Sequence, residues 1–375
     1  MSTFARLPSV ILTGFLGSGK TTLINRLMQD PAFQRSAVLV NEFGEVPLDH
    51  ELIAQSEERL VVLPGGCVCC ALREDVEGAL RQLFERRDAG EIPAFEQLII
   101  ETTGLADPIP LLMTLQGFRL ARERLEAPLV VTTVDASLHE ATVARHPQAS
   151  RQVVAAHLVL VTKADLAGED RTGQVVAAAA RLNPWARIEV ARGAEQLAQL
   201  LRESREVMDR PWDMKALDLM APREQGWMSG KYVKVGNAHA AVSFPVVFDT
   251  PVDWSTFGVW LTLLLHRHGQ NVLRVKGLLN VSGLKGPVAV HAAQHMVHPP
   301  EHLQAWPSDE RRTRLVFIVE RLEPEAIVRS MKAFLDAASA PSTAPHGSFH
   351  VGAGAGGTVG GRPIRRPTAP RWIRG

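Results

Sequence analysis

The chain has 375 residues, enough for two domains, and 46% of them are hydrophobic, ample for packed cores. With 41 basic against 40 acidic residues it has no net field to draw in a polyanion, so neither nucleic acid nor an anionic membrane surface is expected as a partner. No apolar run approaches the roughly 18 residues a membrane helix needs. The three cysteines fall within four consecutive positions, which is no disulfide framework, and a cytoplasmic protein with reduced thiols is expected.

The first apolar run, "SVILTGF", passes into "SGKTT" without a small-residue cleavage site, so it reads as a buried strand and not as a secretory core. Further runs follow in "SAVLVNEF", "RLVVLPGG", "FEQLIIETT", "APLVVTTVDA", "HLVLVTKADL" and "ARIEVA". They are rich in Val, Ile and Leu without clean alternation, the pattern of strands covered on both faces of a mainly parallel sheet. Helical patterns lie between them, at Thr21 to Gln29, Arg73 to Arg87 and Gly173 to Arg181. The alternation predicts a doubly wound α/β domain over residues 1–218. Residues 219–230 lose periodicity and read as a linker. A smaller α+β domain is expected over 231–338, with strands in "AAVSFPVVFD", "VLRVKGLLNVSG", "GPVAVHAAQHMVH" and "TRLVFIVE" and helices in "DWSTFGVWLTLLLHRHG" and "EPEAIVRSMKAFLDAA". Residues 339–375, rich in Gly, Pro and Ala with five arginines and no acid, cannot form a core and read as a disordered tail.

"GFLGSGKTT", Gly14 to Thr22, matches the phosphate-binding pattern G-x4-G-K-S/T between a strand and a helix. Gly14, Gly17 and Gly19 let the backbone curl so that N–H groups point inward. Ser18 and Thr22 belong to the same cradle, and the helix that follows adds its positive end. Lys20 reaches the terminal phosphates and the Thr21 hydroxyl suits Mg²⁺. In "TKADL" the residues Thr162, Lys163 and Asp165 resemble the guanine-recognition loop N/T-K-x-D, in which the carboxylate accepts from two donors that adenine lacks. Thr162 departs from the commoner Asn. In "ETTG" Glu101 takes the place of the strand-end acid that orients Mg²⁺, and Gly104 that of the γ-phosphate sensor.

The cysteines stand in "PGGCVCC". In an extended segment residues i and i+2 share a face, so Cys67 and Cys69 can converge on one ion while Cys70 reaches from the turn. Thiolates select Zn²⁺ or Co²⁺ over Mg²⁺. A buried apolar cluster and a redox pair are the alternatives. "NEFGE" places Glu42 where such proteins keep their first switch. Taken in order, "GFLGSGKTT", "NEFGE", "GGCVCC", "ETTGLADP" and "TKADL" resemble the CobW-like GTPases, a metal-handling branch of the P-loop proteins, and "QHMVHPPEHLQAWP" is similar to that family's second domain. The resemblance implies GTP hydrolysis with Mg²⁺, a transition metal, Zn²⁺ or Co²⁺, held at Cys67, Cys69 and Cys70, Glu42 on one of the two ions, and delivery to a client metalloprotein. With no obvious glutamine or arginine to align water and neutralise charge, the hydrolysis is expected to be slow. A homodimer is compatible with it. A dedicated activator of one enzyme, such as a cobaltochelatase or a nitrile hydratase, a metal-sensing switch that delivers nothing, and an ATP-dependent kinase are the competing readings.

His291, His295, His298 and His302 are spaced by four, three and four, which on a helix would align them, but two prolines interrupt that helix after His298. They read as packing or interface histidines in preference to a second metal site. His266 and His268 suit a helix C-terminus, and Trp254 and Trp260 suit a core.

Overall fold

The computed structural model describes residues 5–41, 60–63, 71–137, 146–191, 194–208, 228–229, 233–234 and 241–339. All seven apolar runs of the first part are strands: β1 (Ser9–Gly14), β2 (Ser36–Asn41), β3 (Leu60–Leu63), β4 (Gln97–Glu101), β5 (Leu129–Asp135), β6 (Leu158–Thr162) and β7 (Arg187–Val190). They form one parallel sheet in the order β3-β2-β4-β1-β5-β6-β7. The chain runs outward from β1 to one edge and then returns to build the other, so the sheet reverses direction beside β1. In doubly wound sheets ligands bind at such a reversal, beyond the carboxyl ends of the strands.

Helices cover both faces, which is why these strands read as continuous apolar runs and not as alternating ones. On one face α1 (Lys20–Gln29) and α8 (Ala194–Met208) bury Leu23, Ile24, Leu27, Ala198 and Leu201 against Val10, Leu12 and Val131. On the other, α2 (Ala71–Asp88), α3 (Pro108–Gly117) and α4 (Arg119–Arg124) cover Ile11, Leu39 and Ile100. The helices α5 (Pro147–Ala155), α6 (Ala164–Ala167) and α7 (Glu169–Leu182) complete the set.

The second part is an antiparallel sheet of β8 (Met228–Ser229), β9 (Val233–Lys234), β10 (Val242–Phe248), β11 (Val272–Leu279), β12 (Val288–Ala293), β13 (Met296–Val297), β14 (Glu301–His302) and β15 (Thr313–Val319). Met228–Ser229, inside the stretch read as linker, pairs with Val246 and Val247 of β10. Two helices, α9 (Trp254–His268) and α10 (Pro324–Ser339), pack on one face. There Trp260 lies 3% exposed among Phe257, Phe317 and Met331, with Trp254 at the margin, so both tryptophans serve the core. Asp253 starts α9 by accepting from the Thr256 N–H at 2.8 Å, and His266 and His268 occupy the last turn.

The opposite face of this sheet packs on the first: Ala241, Leu273 and Ile318 join Val153, Val154, Val175 and Ala179 in one apolar cluster. Polar contacts converge on the carboxyl end of α5. Asn183 donates to the carbonyls of Val153, Val154 and Ala156 at 2.8–3.1 Å, and Arg274 of β11 donates to the Val154 carbonyl at 2.7 Å. A cation and an amide there satisfy carbonyls that the helix leaves without partners. Burial pulls the Arg274 guanidinium down to about 10.

His157 stands beside this contact, its Nδ1 accepting from the Val130 N–H at 3.0 Å. That bond requires an unprotonated Nδ1. Burial, and then the charges of Arg274, Lys276 and His298, push its pKa down to about 3. His291 is likewise held well below the ordinary range by burial and by the same cations. A histidine neutral in the fold and titrating near 6.5 when unfolded contributes stability that is present above about pH 6.5 and lost as the pH falls from there toward 3. Tm should therefore drop on acidification from pH 7 to 5. In a His157→Asn variant, whose amide oxygen can replace Nδ1 as acceptor, the drop should be shallower by about one proton; thermal unfolding across that pH range measures it.

Candidate functional site

Gly14 closes β1 at φ 142, and a Cβ there would fall 2.5 Å from the Thr133 carbonyl oxygen and 2.7 Å from Ser18 Oγ. Only glycine lets the loop lie this close to β5. The approach is fastened by a hydrogen bond of 2.7 Å between the hydroxyls of Ser18 and Thr133. Gly17 and Gly19 also have positive φ, and the loop ends as Lys20 and Thr21 open α1, with Thr22 exposed on its first turn. Lys20 is buried, and its Nζ donates to the carbonyls of Gly14 at 2.9 Å and Phe15 at 3.3 Å. Burial pulls the ammonium below its ordinary value, with the Glu101 carboxylate opposing.

On the other flank of β1, Thr102 Oγ1 donates to Thr13 Oγ1 at 2.8 Å and aligns the end of β4 with the loop. Glu101 is 6% exposed, and the Thr21 hydroxyl donates to its Oε1 at 3.2 Å. A hydroxyl and a carboxylate side by side make the hard oxygen pair that suits Mg²⁺. Gly104 lies directly on the phosphate loop: a Cβ would meet the Leu16 amide nitrogen at 2.6 Å. Any side chain at this position would push the two loops apart.

Thr162, the departure from Asn, ends β6 with its hydroxyl donating to the Ser18 carbonyl at 2.8 Å and the Val134 carbonyl at 3.2 Å. It thus ties the third loop to the first. Lys163 adopts a left-handed conformation at φ 56 and forms an ion pair of 2.7 Å with Asp135 at the end of β5. Burial works to raise the Asp135 pKa, but its bonds from Lys163 and Ser137 prevail and hold it low. Asp165 is exposed on α6, immediately beyond.

Behind the phosphate loop a small cavity of about 30 Å³ is lined by Phe15, Leu16, Thr133, Asp135 and Gln152, among others. Gln152, Asp135 and Thr133 were not singled out from sequence. An acid closing a parallel strand was the only available signal, and it singles out Asp135 alone. Thr133 and Gln152 matter through contacts 115 and 48 residues away in the chain.

Glu42, Cys67, Cys69 and Cys70 lie outside the described residues. The strands that lead to them are described: β2 ends at Asn41 in register with Leu63, the last residue of β3, and Val40 is in register with Glu101. The four histidines are on no helix. His291 is in β12, His302 in β14, His295 in the turn after β12, and His298 follows β13. The rings of His291 and His298 stack at 4.2 Å and 5°, as the packing reading expects. Strands form here because β12 alternates Val288, Val290 and Ala292 into the core, and two prolines end any helix beyond His298.

A glycine loop pressed between two strands, with a lysine, a hydroxyl and an acid converging on it at the carboxyl ends of a parallel sheet, defines a P-loop nucleotide-binding protein. Residues 8–189 match the CobW/HypB/UreG nucleotide-binding domain, and residues 241–335 match the cobalamin synthesis protein CobW C-terminal domain. The chain belongs to the CobW family. It is 30% identical to the zinc chaperone YjiA of Escherichia coli over 84% of its own length and 95% of that protein. It is also 30% identical to the zinc chaperone CobW of Pseudomonas aeruginosa, over 89% and 93%. The crystal structure of the Zn(II)-bound YjiA GTPase from E. coli superposes with a TM-score of 0.59 at 26% identity, covering 88% of this chain and 99% of that one.

Two substitutions separate the two ends of the site. Lys20→Ala should abolish binding of nucleoside triphosphates. Asp165→Asn should leave phosphate binding intact and reduce the preference for guanine over adenine, about 10²-fold or more if the carboxylate is what pairs with the base. Fluorescence titration with labelled GTP and ATP reads both.

Proposed function

We propose that the chain is a GTP-dependent metallochaperone, which binds a transition metal and releases it to a client metalloprotein as GTP is hydrolysed. The observation that carries the reading is the register of β3, β2 and β4. Asn41, Leu63 and Glu101 end three neighbouring strands side by side, so the chain leaves for Glu42, for the C-x-C-C segment and for Gly104 from one edge of the nucleotide site. A γ-phosphate acting at the end of β4 acts beside the ends of β2 and β3.

In this reading Lys20 and the amides of Gly17 to Thr22 bind the phosphates, Thr21 and Glu101 hold Mg²⁺, and Thr162, Lys163 and Asp165 select guanine. With Mg²⁺ bound, charge on the terminal phosphates is neutralised. The chain's own contribution is to hold Lys20 and Gly104 against those phosphates. Cys67 and Cys69, with Cys70 and Glu42, take the cargo, Zn²⁺ or Co²⁺, whose thiolate preference Mg²⁺ does not share. The zinc-chaperone relatives support zinc as the cargo. A cytoplasmic setting, where thiols remain reduced, suits it, and among the described residues no helix is long and apolar enough to cross a membrane.

If the cysteines converge only while the γ-phosphate orders the switch, metal affinity is higher with GTP than with GDP, and metal tightens GTP by the same factor. Co²⁺ titration, read by thiolate charge-transfer absorbance, should show affinity about 5- to 150-fold higher with a non-hydrolysable GTP analogue than with GDP. Cys67→Ser with Cys69→Ser should erase the difference and leave metal-free GTP binding unchanged. Equal Co²⁺ affinity in both nucleotide states contradicts the coupled mechanism.

A further inference from the structure

Gln152 lies on α5, 1% exposed, in contact with a segment that the phosphate chemistry needs. Its Nε2 donates to the carbonyls of Gly104 at 3.1 Å and Ala106 at 3.0 Å. Its own backbone carbonyl accepts from Thr132 Oγ1 at 2.8 Å, which fixes that turn of α5 to β5. One carboxamide therefore grips two of three consecutive residues. Peptide planes are rigid, so pinning these carbonyls removes most of the freedom glycine would have at position 104. Gly104 is thereby held against the phosphate loop, where an added Cβ would meet the Leu16 amide.

The same segment is held from a second side. Asp107 Oδ1 accepts from the Ile109 N–H at 3.0 Å and caps α3, while Oδ2 accepts from Gln294 Nε2 at 2.9 Å and Arg151 at 3.3 Å. Arg151 reaches on to Glu320 at 3.0 Å, whose side chain is 3% exposed. Gln294 and Glu320 belong to the antiparallel sheet, one in the left-handed turn after β12 and the other at the end of β15. The residues that follow Gly104 are thus bonded to α5 and to the antiparallel sheet, and both bonds to the Asp107 Oδ2 are charge-assisted.

We propose that Gln152 is a positioning residue for GTP hydrolysis, acting through Gly104, and that Asp107 ties this positioning to the antiparallel sheet through Gln294 and Arg151. The proposal rests on the GTPase reading above. It makes discrimination between GTP and GDP depend on a contact in the C-terminal sheet, because only GTP carries the phosphate that Gly104 meets.

The test measures kcat and KM for GTP and Kd for a non-hydrolysable GTP analogue and for GDP, in wild type and three variants. Gln152→Met keeps length and removes the donor. Asp107→Asn keeps the helix cap, since Asn caps as well as Asp, and removes the charge facing Arg151. Gln294→Asn tolerates the positive φ and is too short to reach Asp107. Gln152→Met should lower kcat by about 10- to 100-fold with a smaller change in KM. Asp107→Asn and Gln294→Asn should lower the ratio of GTP-analogue to GDP affinity about 5-fold or more, with GDP binding at the wild-type level. If Gln152→Met does not fold, the other two carry the test. Folded variants with wild-type kcat and an unchanged ratio overturn the proposal. So does a parallel loss of both nucleotides, which marks a merely structural role. Wild-type protein that neither binds nor hydrolyses GTP overturns the GTPase reading and this proposal together, whereas an active wild type with silent variants overturns this proposal alone.

Discussion

The site depends on β1 lying between β4 and β5 with its last residue bare of a side chain. Because Gly14 has no Cβ, the phosphate loop can settle onto the Thr133 carbonyl. Because β4 and β5 flank β1, hydroxyl pairs fasten the loop from both sides, Thr13 with Thr102 and Ser18 with Thr133. Thr162 then adds β6 through the Ser18 carbonyl. Four loops that could move separately become one mesh of short side chains, each held at a strand end. Lys20, Glu101 and Lys163 stand around that mesh, Lys20 on the Gly14 and Phe15 carbonyls, Glu101 on the Thr21 hydroxyl and Lys163 on Asp135.

Helix α5 is the element through which the two sheets meet. Its carboxyl end is satisfied by Asn183 from one side and Arg274 from the other, and Arg151 and Gln152 reach from its middle to the Gly104–Asp107 segment. The antiparallel sheet has helices on one face only, so its other face needs cover, and α5 with α7 supplies it through Val153, Val154, Val175 and Ala179. Burial of apolar surface makes the contact, and the polar groups enclosed by it restrict how the two parts can sit. The three histidines near Arg274 and Lys276 fit this account as neutral packing groups.

Much of this was legible in the sequence, for identifiable reasons. The seven parallel strands were readable because residues covered on both faces give unbroken Val, Ile and Leu runs, and the phosphate loop because its glycines are demanded at fixed spacing. The histidine quartet showed the opposite behaviour: a spacing of four, three and four fits a helix, yet those residues belong to strands and turns because Val288, Val290 and Ala292 alternate into a core. Thr162 looked like a defect in a recognition loop, and its geometry shows a hydroxyl long enough to reach both Ser18 and Val134. Gln152 and Gln294 could not be read at all, and Asp107, though inside the quoted "ETTGLADP", showed only its local helix cap. Their contacts join positions far apart in the chain, and nothing local marks an amide that will grip a distant carbonyl.

Under the proposed function, nucleotide hydrolysis and metal release are one event. The direct measurement is a single turnover of protein loaded with GTP and one equivalent of metal, mixed with a chromophoric chelator while phosphate production is followed in parallel. The account predicts that metal reaches the chelator at the rate at which phosphate appears, and that it stays on the protein when a non-hydrolysable analogue replaces GTP. Metal that leaves equally fast with the analogue would contradict it.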